Sequence, residues 1–394
     1  MGLFSHSRKE PHIALLIDIG SGSVGASLVS YSYTKEGIEE KPAILYSLRR
    51  SFTLTESASY DQLVGLMRKT LREMLGIIHD VKLGIPDKVY AVLSAPWYVS
   101  QTRTIIYNKK PAFTVTEKLV TELTKKEIAF FKESLASEVE GESYIIENTT
   151  QSISLNGYSL KDPIGQKAEE MKIALFVSLS PQQVIDAIHE EVLQIYHFKK
   201  IQFSSSGACS FVALRDAFPD EESFMVVSVG SEVTDVVIVR NNTLDTSFTF
   251  PKGVRSVYRV ISNSLSVDVN EAKTQALLCQ NNHASPEMVR KVNPLLEGAK
   301  NEWIEMFSKT LASFVNTLST PHTIFVLAPE EIGCWYKDLL LTEPFHQCTR
   351  TEKDFNVILV GNETLHEHLT FKEGVTQDSF MSLQSLFIRR YLEN

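Results

Sequence analysis

Two short glycine-rich turns hold the residue types best suited to chemistry. Ile13–Tyr31 reads as an apolar strand (IALLID), a turn over Ile19–Gly25, and a second apolar strand (ASLVSY). Gly20, Gly22 and Gly25 admit backbone conformations closed to other residues and let the chain approach an anion with no Cβ in the way. Ser21 and Ser23 add hydroxyl donors, and the successive N–H groups form an anion-binding nest. Asp18, at the end of the strand, is placed to hold a water on Mg²⁺, an ion that keeps several waters and takes few carboxylates. Ser223–Val239 repeats the pattern (FMVVS, VGSEV, TDVVIV), offering Gly230, Ser231 and Thr234. Asp18 and Ser228 are the equivalent positions, 210 residues apart. One such turn after a strand is common, but two that face each other can clamp a polyphosphate.

The surrounding pattern shows what must position these turns. Each hairpin is followed by a third strand, Ala43–Phe52 in the first half and Leu244–Phe250 in the second, the latter entered through an Asn241-Asn242 turn. Two copies of a strand–turn–strand unit predict two similar α/β domains facing each other. Between them, strand-like runs at Tyr90–Ser94, Arg103–Asn108 and Lys172–Ser178 flank one helix, about Val115–Ser134, with Thr116 as its N-cap, which predicts a small α+β insertion. Ser180–Tyr196 is expected to be a helix with Ser180 at the N-cap and Pro181 at its first position. Val254–Leu318 is predicted to be mostly helical and lid-like, most clearly over Asn301–Leu318.

Composition narrows the function classes. The chain has 394 residues, enough for two to four domains. Its 39 Lys and Arg against 48 Asp and Glu give a net charge of −9. That argues against sequence-independent nucleic-acid binding, which draws its affinity from cationic phosphate contacts. Cys209, Cys279, Cys334 and Cys348 lie far apart with no C-x-x-C pair, so neither structural zinc nor a disulfide framework is expected, and the composition is that of a cytosolic protein. No apolar run reaches the length of a bilayer span, and MGLFSHSRKEP has neither a signal-peptide core nor a myristoylation pattern, so it is expected to be a mobile tail. Ser379–Tyr391 places Phe380, Leu383, Phe387 and Tyr391 at helical spacing, expected to pack on its own domain and not on a membrane. His366 and His368, beside Glu363 and Glu367, read as a solvated segment. The alternating Lys and Glu of Glu117–Glu133 read as a solvated helix face, and Trp97-Tyr98 as packing beneath a strand edge.

Several of these segments, in order, resemble the actin-like proteins, and within them the family of the cell-division protein FtsA and the pilus-assembly protein PilM. Asp18–Val29 is similar to the first phosphate motif, Leu160–Gln166 (LKDPIGQ) to the run that ends the inserted subdomain, and Ser205–Leu214 to the first connector. Ser228–Val239 is similar to the second phosphate motif, and Glu271-Ala272-Lys273 to a glutamate-alanine-glutamate helix start. The resemblance covers about Pro11–Leu392. It implies an α/β, actin-like (ribonuclease H-like) two-domain fold with an inserted α+β subdomain. The first domain would span 11–86, continued at 178–218 and 375–394, with the insertion at 87–177. The second would span 222–262 and 319–374, with a small helical subdomain at 263–318.

The resemblance also implies ATP and Mg²⁺, with Asp18 at the metal and Gly20, Ser21, Gly22, Ser23, Gly230, Ser231 and Thr234 at the phosphates. Departures accompany it. Ser228 stands where the second motif has an aspartate, Ser231 and Glu232 stand for glycines, and Ser23 stands for a lysine. The adenosine motif aligns with Thr323–Gly333, where Pro329, Glu330 and Glu331 replace glycines, while Val357–Asn362 is a later candidate with one glycine. Proline fixes φ and side chains block close approach of a nucleoside. The connector offers only serines where an acid or amide would orient water. The expectation is therefore an eroded ATP site on an FtsA-like scaffold at the inner face of the plasma membrane, held there indirectly. It would bind a division protein of the FtsZ kind and would be capable of self-association. The alternative is a PilM-like adaptor gripping a pilus membrane-protein tail, and a more distant one is a phosphotransferase of the same superfold.

Overall fold

A computed structural model describes residues 12–31, 33–34, 37–38, 41–53, 59–135, 141–198, 200–314, 320–349 and 354–393. The tail at 1–11 and the end of the helix expected at 301–318 fall in part or whole outside them.

The first half opens with β1 (His12–Ile19), β2 (Ser23–Tyr31), a short hairpin β3 (Tyr33–Thr34) and β4 (Gly37–Ile38), and β5 (Ala43–Ser51). Helix α1 (Tyr60–Asp80) follows, opened by a capping box in which Ser59 and Gln62 each satisfy the other's backbone N–H. Then come β6 (Lys88–Leu93), β7 (Val99–Thr114), α2 (Glu117–Leu135), β8 (Ser143–Leu155), β9 (Tyr158–Ser159), β10 (Lys167–Pro181) and α3 (Gln182–Tyr196). Next are β11 (Gln202–Ser205) and α4 (Ser206–Ala217). The second half contains β12 (Phe224–Val229), β13 (Thr234–Arg240), β14 (Thr243–Phe250), α5 (Val254–Leu265), α6 (Val269–Gln280) and α7 (Pro286–Phe314). It continues through β15 (Thr323–Leu327), α8 (Glu330–Leu340), α9 (Glu343–Thr349), β16 (Asn356–Leu359), α10 (Asn362–Leu365), β17 (Thr370–Phe371) and α11 (Ser379–Glu393).

The two principal sheets share one plan. The first runs β11-β6-β1-β2-β5-β17 and the second β14-β13-β12-β15-β16. In each, an antiparallel three-strand meander is extended beyond its first strand by two parallel strands, so β1 and β12 occupy the same place, and the first sheet adds β17 parallel to β5 at its other edge. Their nearly unbroken apolar runs follow from burial on both faces. In β1, Leu15, Ile17 and Ile19 face a core built with α1 and α3, while Ala14 and Leu16 face α4 and α11. In β12, Phe224 and Val226 face that same α4–α11 layer from the other side, and Met225, Val227 and Val229 face the helices of the second half. The layer of α4 and α11 is thus shared by both sheets, and the start of α11 lines the cleft between them.

The strand expected to open the insertion, Tyr90–Ser94, instead lies in β6, beside β1 in the first sheet. Its apolar run is the signature of a doubly covered strand. The insertion's own sheet, β7-β10-β8-β9, spans Val99–Pro181 and packs one face on α2. Ser180 is not an N-cap: β10 continues through Pro181, and the Ser180 hydroxyl donates to the Trp97 carbonyl at 2.8 Å. The helix expected from Asn301 begins earlier, at Pro286, with Pro294 inside it. Phe371, expected in the second domain, pairs with β5 of the first sheet. Helix α11 buries Met381, Leu383, Phe387 and Ile388 against the first half, so its apolar face is spent inside the protein.

Candidate functional site

The two hairpin turns meet at the mouth of a cleft of about 320 Å³. One rung of the first sheet crosses its wall, pairing Asp18 on β1 with Gly25 on β2, and Gly25 with Arg49 on β5. Gly25 has no side chain, so Arg49 reaches over it. A Cβ at residue 25 would lie 2.8 Å from Arg49 Nη2 and 2.9 Å from Met381 Sδ. Arg49 Nη2 sits 2.7 Å from Asp18 Oδ2, and its Nε 2.6 Å from Asp378 Oδ2. Its Nη1 donates to Ser23 Oγ at 3.1 Å, and the guanidinium lies over the Phe380 ring, 5.1 Å from its centre. The other Asp18 oxygen accepts from Gln384 Nε2 of α11 at 2.7 Å. Burial opposes the charge of Arg49, but Asp378 and Asp18 outweigh it and raise its pKa. Burial likewise pushes Asp378 up, yet the Arg49 charge and hydrogen bonds from Arg49, Met381 and Phe380 hold its carboxyl below the usual range.

The matching rung of the second sheet pairs Ser228 with Asp235, and Asp235 with Thr249. Asp235 accepts from Thr249 Oγ1 at 2.5 Å, from the Ala95 N–H at 3.2 Å and from Ser206 Oγ at 3.4 Å. Burial, opposed only by these hydrogen bonds, pushes its carboxyl up. Sequence reading missed Asp235, although a lone acid in the apolar strand TDVVIV was a readable signal. It also missed Arg49, Asp378 and Gln384, which tertiary folding alone brings to Asp18.

The turns touch each other. Ser21 Oγ accepts the Glu232 N–H at 2.9 Å, and a Cβ on Gly22 would come within 2.8 Å of Ser231 Cβ. Trp97, fully buried, donates from Nε1 to the Gly20 carbonyl at 2.8 Å and fixes the first turn from below. Thr234 faces away from the cleft, donating to the Lys252 carbonyl at 2.6 Å and lying 3.2 Å from Trp303 Nε1. Glu232 also turns outward, to Arg259 at 2.7 Å and Arg255 at 3.7 Å. On the third side, Thr323–Gly333 becomes β15 and the start of α8, bringing Pro329, Glu330 and Glu331 to the cleft wall. Lys273 of α6 pairs with Glu331 at 2.7 Å across the path toward α8. Val357–Asn362 forms β16 and the start of α10, away from the cleft.

These residues do not fit a magnesium triphosphate. Five acids (Asp18, Asp235, Asp378, Glu330, Glu331) and one guanidinium line the cleft, and that guanidinium is already held by Asp18 and Asp378, so a polyanion meets few cationic partners there. Both oxygens of Asp18 are engaged, and one turn's hydroxyl takes the other turn's N–H. Among the described residues, no three His, Cys, Asp or Glu side chains are grouped to hold a metal, and His366 Nδ1 lies 2.7 Å from the Glu363 carbonyl. Ser205, the first serine of the connector, binds an acid from elsewhere, Glu147. Glu147 of β8 accepts from Ser178 Oγ, from Ser205 Oγ at 2.7 Å and from the Ser205 N–H at 2.8 Å, at the start of α4. Burial pushes that carboxyl up, and it does not line the cleft, so it cannot orient water there.

No protein-family model matches the sequence, and no curated protein matches it. Among solved structures, the chain is similar to one in a PilM–PilN type IV pilus biogenesis complex, at 14% identity and a TM-score of 0.59, over 97% of this chain and 98% of that one. The ethanolamine utilization protein EutJ from Carboxydothermus hydrogenoformans is similar at 11% identity and a TM-score of 0.45, over 97% of this chain and 91% of that one. A chain of the MamK double helical filament is similar at 11% identity and a TM-score of 0.44, over 97% and 99%. With its duplicated sheets and shared central layer, this chain has the actin-like ATPase fold.

Proposed function

We propose that this chain is an actin-like scaffold that docks other proteins, and that nucleotide turnover does not drive it. The observation that carries the reading is the cleft itself, where the two turns are hydrogen-bonded to each other and Asp18 is taken by Arg49 and Gln384. Hydrolysis needs a metal and a water aligned for in-line attack, and the reading is supported by Asp18, the carboxylate expected at the metal, being held by Arg49 and Gln384. Within that class we favour a PilM-like adaptor holding the cytoplasmic tail of a pilus membrane protein, supported by a likeness that spans both chains almost end to end. Peripheral attachment to a membrane would then come through the partner, since no described helix is long and apolar enough to cross one. A second reading, the FtsA-like division scaffold, draws on the Leu160–Gln166 run, which leaves Leu160 and Ile164 exposed on the insertion.

The test is fluorescence anisotropy with synthetic tails from the same genome, one set from pilus membrane proteins and one from an FtsZ-like protein, alongside an ATP turnover assay. Saturable binding of a pilus tail with no turnover is expected. Turnover of ATP with neither tail bound would sink the scaffold reading, and binding of only the FtsZ-like tail would move it to division.

A further inference from the structure

We propose that Arg49 is the resident cation of the cleft, taking through its guanidinium the carboxylates of Asp18 and Asp378 that would otherwise require a divalent metal. Three observations bear on it. The guanidinium meets both carboxylates and Ser23 together, at 2.7, 2.6 and 3.1 Å, which uses the fork as a template and not as a single surface pair. The route is built into the chain, because Gly25 is the residue over which the side chain passes and any Cβ there would strike it. The cation is also anchored on its far side by the Phe380 face and by an acid whose position is set by the start of α11, where the Met381 N–H donates to Asp378 Oδ1 at 3.0 Å.

The turn shows the same exchange. Ser23 stands where the resemblance has a lysine, and the positive charge missing from the turn is supplied from β5, 26 residues later. Arg49 points its charge inward, at the protein's own acids. The inference deepens the reading of this cleft as a nucleotide-free joint, and the two fail separately: ATP turnover breaks the scaffold reading, whereas an effect of metal alone on the parent breaks this one.

The experiment is thermal unfolding of the full chain with Mg²⁺ as the only addition. The parent Tm should not move with millimolar Mg²⁺. Arg49→Met should melt lower by about 5 °C or more, because the buried Asp18 and the largely buried Asp378 lose their shared cation. Mg²⁺ should then return part of the loss, saturably, by entering between them. Arg49→Lys, which keeps a cation, should melt between the two and ignore Mg²⁺. A rise in the parent Tm with Mg²⁺, an Arg49→Met protein as stable as the parent, or one that Mg²⁺ fails to lift would each overturn the proposal. Where Arg49→Met does not fold, Asp378→Asn serves: it should melt lower and stay silent to Mg²⁺ because Arg49 still covers Asp18, and a response there overturns the proposal as well.

Discussion

The same rung of two similar sheets has been solved in two ways. In the first sheet it reads Asp18, Gly25, Arg49; in the second, Ser228, Asp235, Thr249. The acid has moved from the first strand of the hairpin to the second, and its partner has changed from a guanidinium to hydroxyls and one amide. The first arrangement holds Asp378 below the usual carboxylate range, whereas burial pushes Asp235 above it. An inherited pair of turns therefore need not keep a shared ligand: each half can satisfy its own buried acid with its own residues.

The contrast can be broken most forcefully at its strongest bond. Arg49→Met should cost about 3–5 kcal/mol, since it strands the buried Asp18 and the largely buried Asp378. The matching change, Thr249→Val, should cost about 1–2 kcal/mol, as it removes one of the three hydrogen bonds that Asp235 accepts. Denaturant unfolding measures both, and equal losses would mean that the two rungs are not energetically different. Gly25→Ala should cost about 1–3 kcal/mol by displacing Arg49 and Met381. If it were neutral, the crossing at Gly25 would not be required.

The pH dependence should have opposite signs at the two places. Asp378, depressed in the folded protein, contributes stability that is present above the ordinary carboxylate pKa, about 3.9, and is lost as pH falls through its lower folded value. Asp235, raised in the folded protein, contributes stability that is full below about 3.9 and is lost as pH rises through its higher folded value. Stability measured across pH should therefore lose part of its acid limb in Asp378→Asn, while the decline above pH 4 should flatten in Asp235→Asn. A common direction for both variants would contradict the contrast. The smallest effect belongs to Lys273→Ala: both partners of its pair are about two-fifths exposed, and the change should cost under about 1 kcal/mol.

Much of this frame could be read from the residues. The glycine-rich hairpins and the 210-residue offset between Asp18 and Ser228 correspond to β1 and β12, because strand periodicity and turn chemistry are local. Arg49 could not be read as a cleft residue, since its role depends on crossing a neighbouring strand. Gln384 was half legible: it sits beside Leu383 on the packed face of α11, where a polar side chain needs a partner, but nothing local names Asp18 as that partner. Glu147 gave no signal, because it sits in the polar middle of β8 (ENTTQS), and only Ser178 of β10 and Ser205 at the start of α4 bury and satisfy it. Pro181 misled, because a proline that opens helices also ends strands where no ladder N–H is needed.

The hydrogen bond from Gln384 to Asp18 joins residues 366 positions apart. On the ribosome, Asp18 emerges with the first strand, while Gln384 and Asp378 follow only after both sheets have been translated. Until α11 arrives, β1 carries an acid that its neighbours cannot fully satisfy, so the half that is made first is the half that is finished late. A nascent chain stopped before α11 should accordingly remain sensitive to protease around its first hairpin, and the first sheet cannot be cut out and studied as an independent piece.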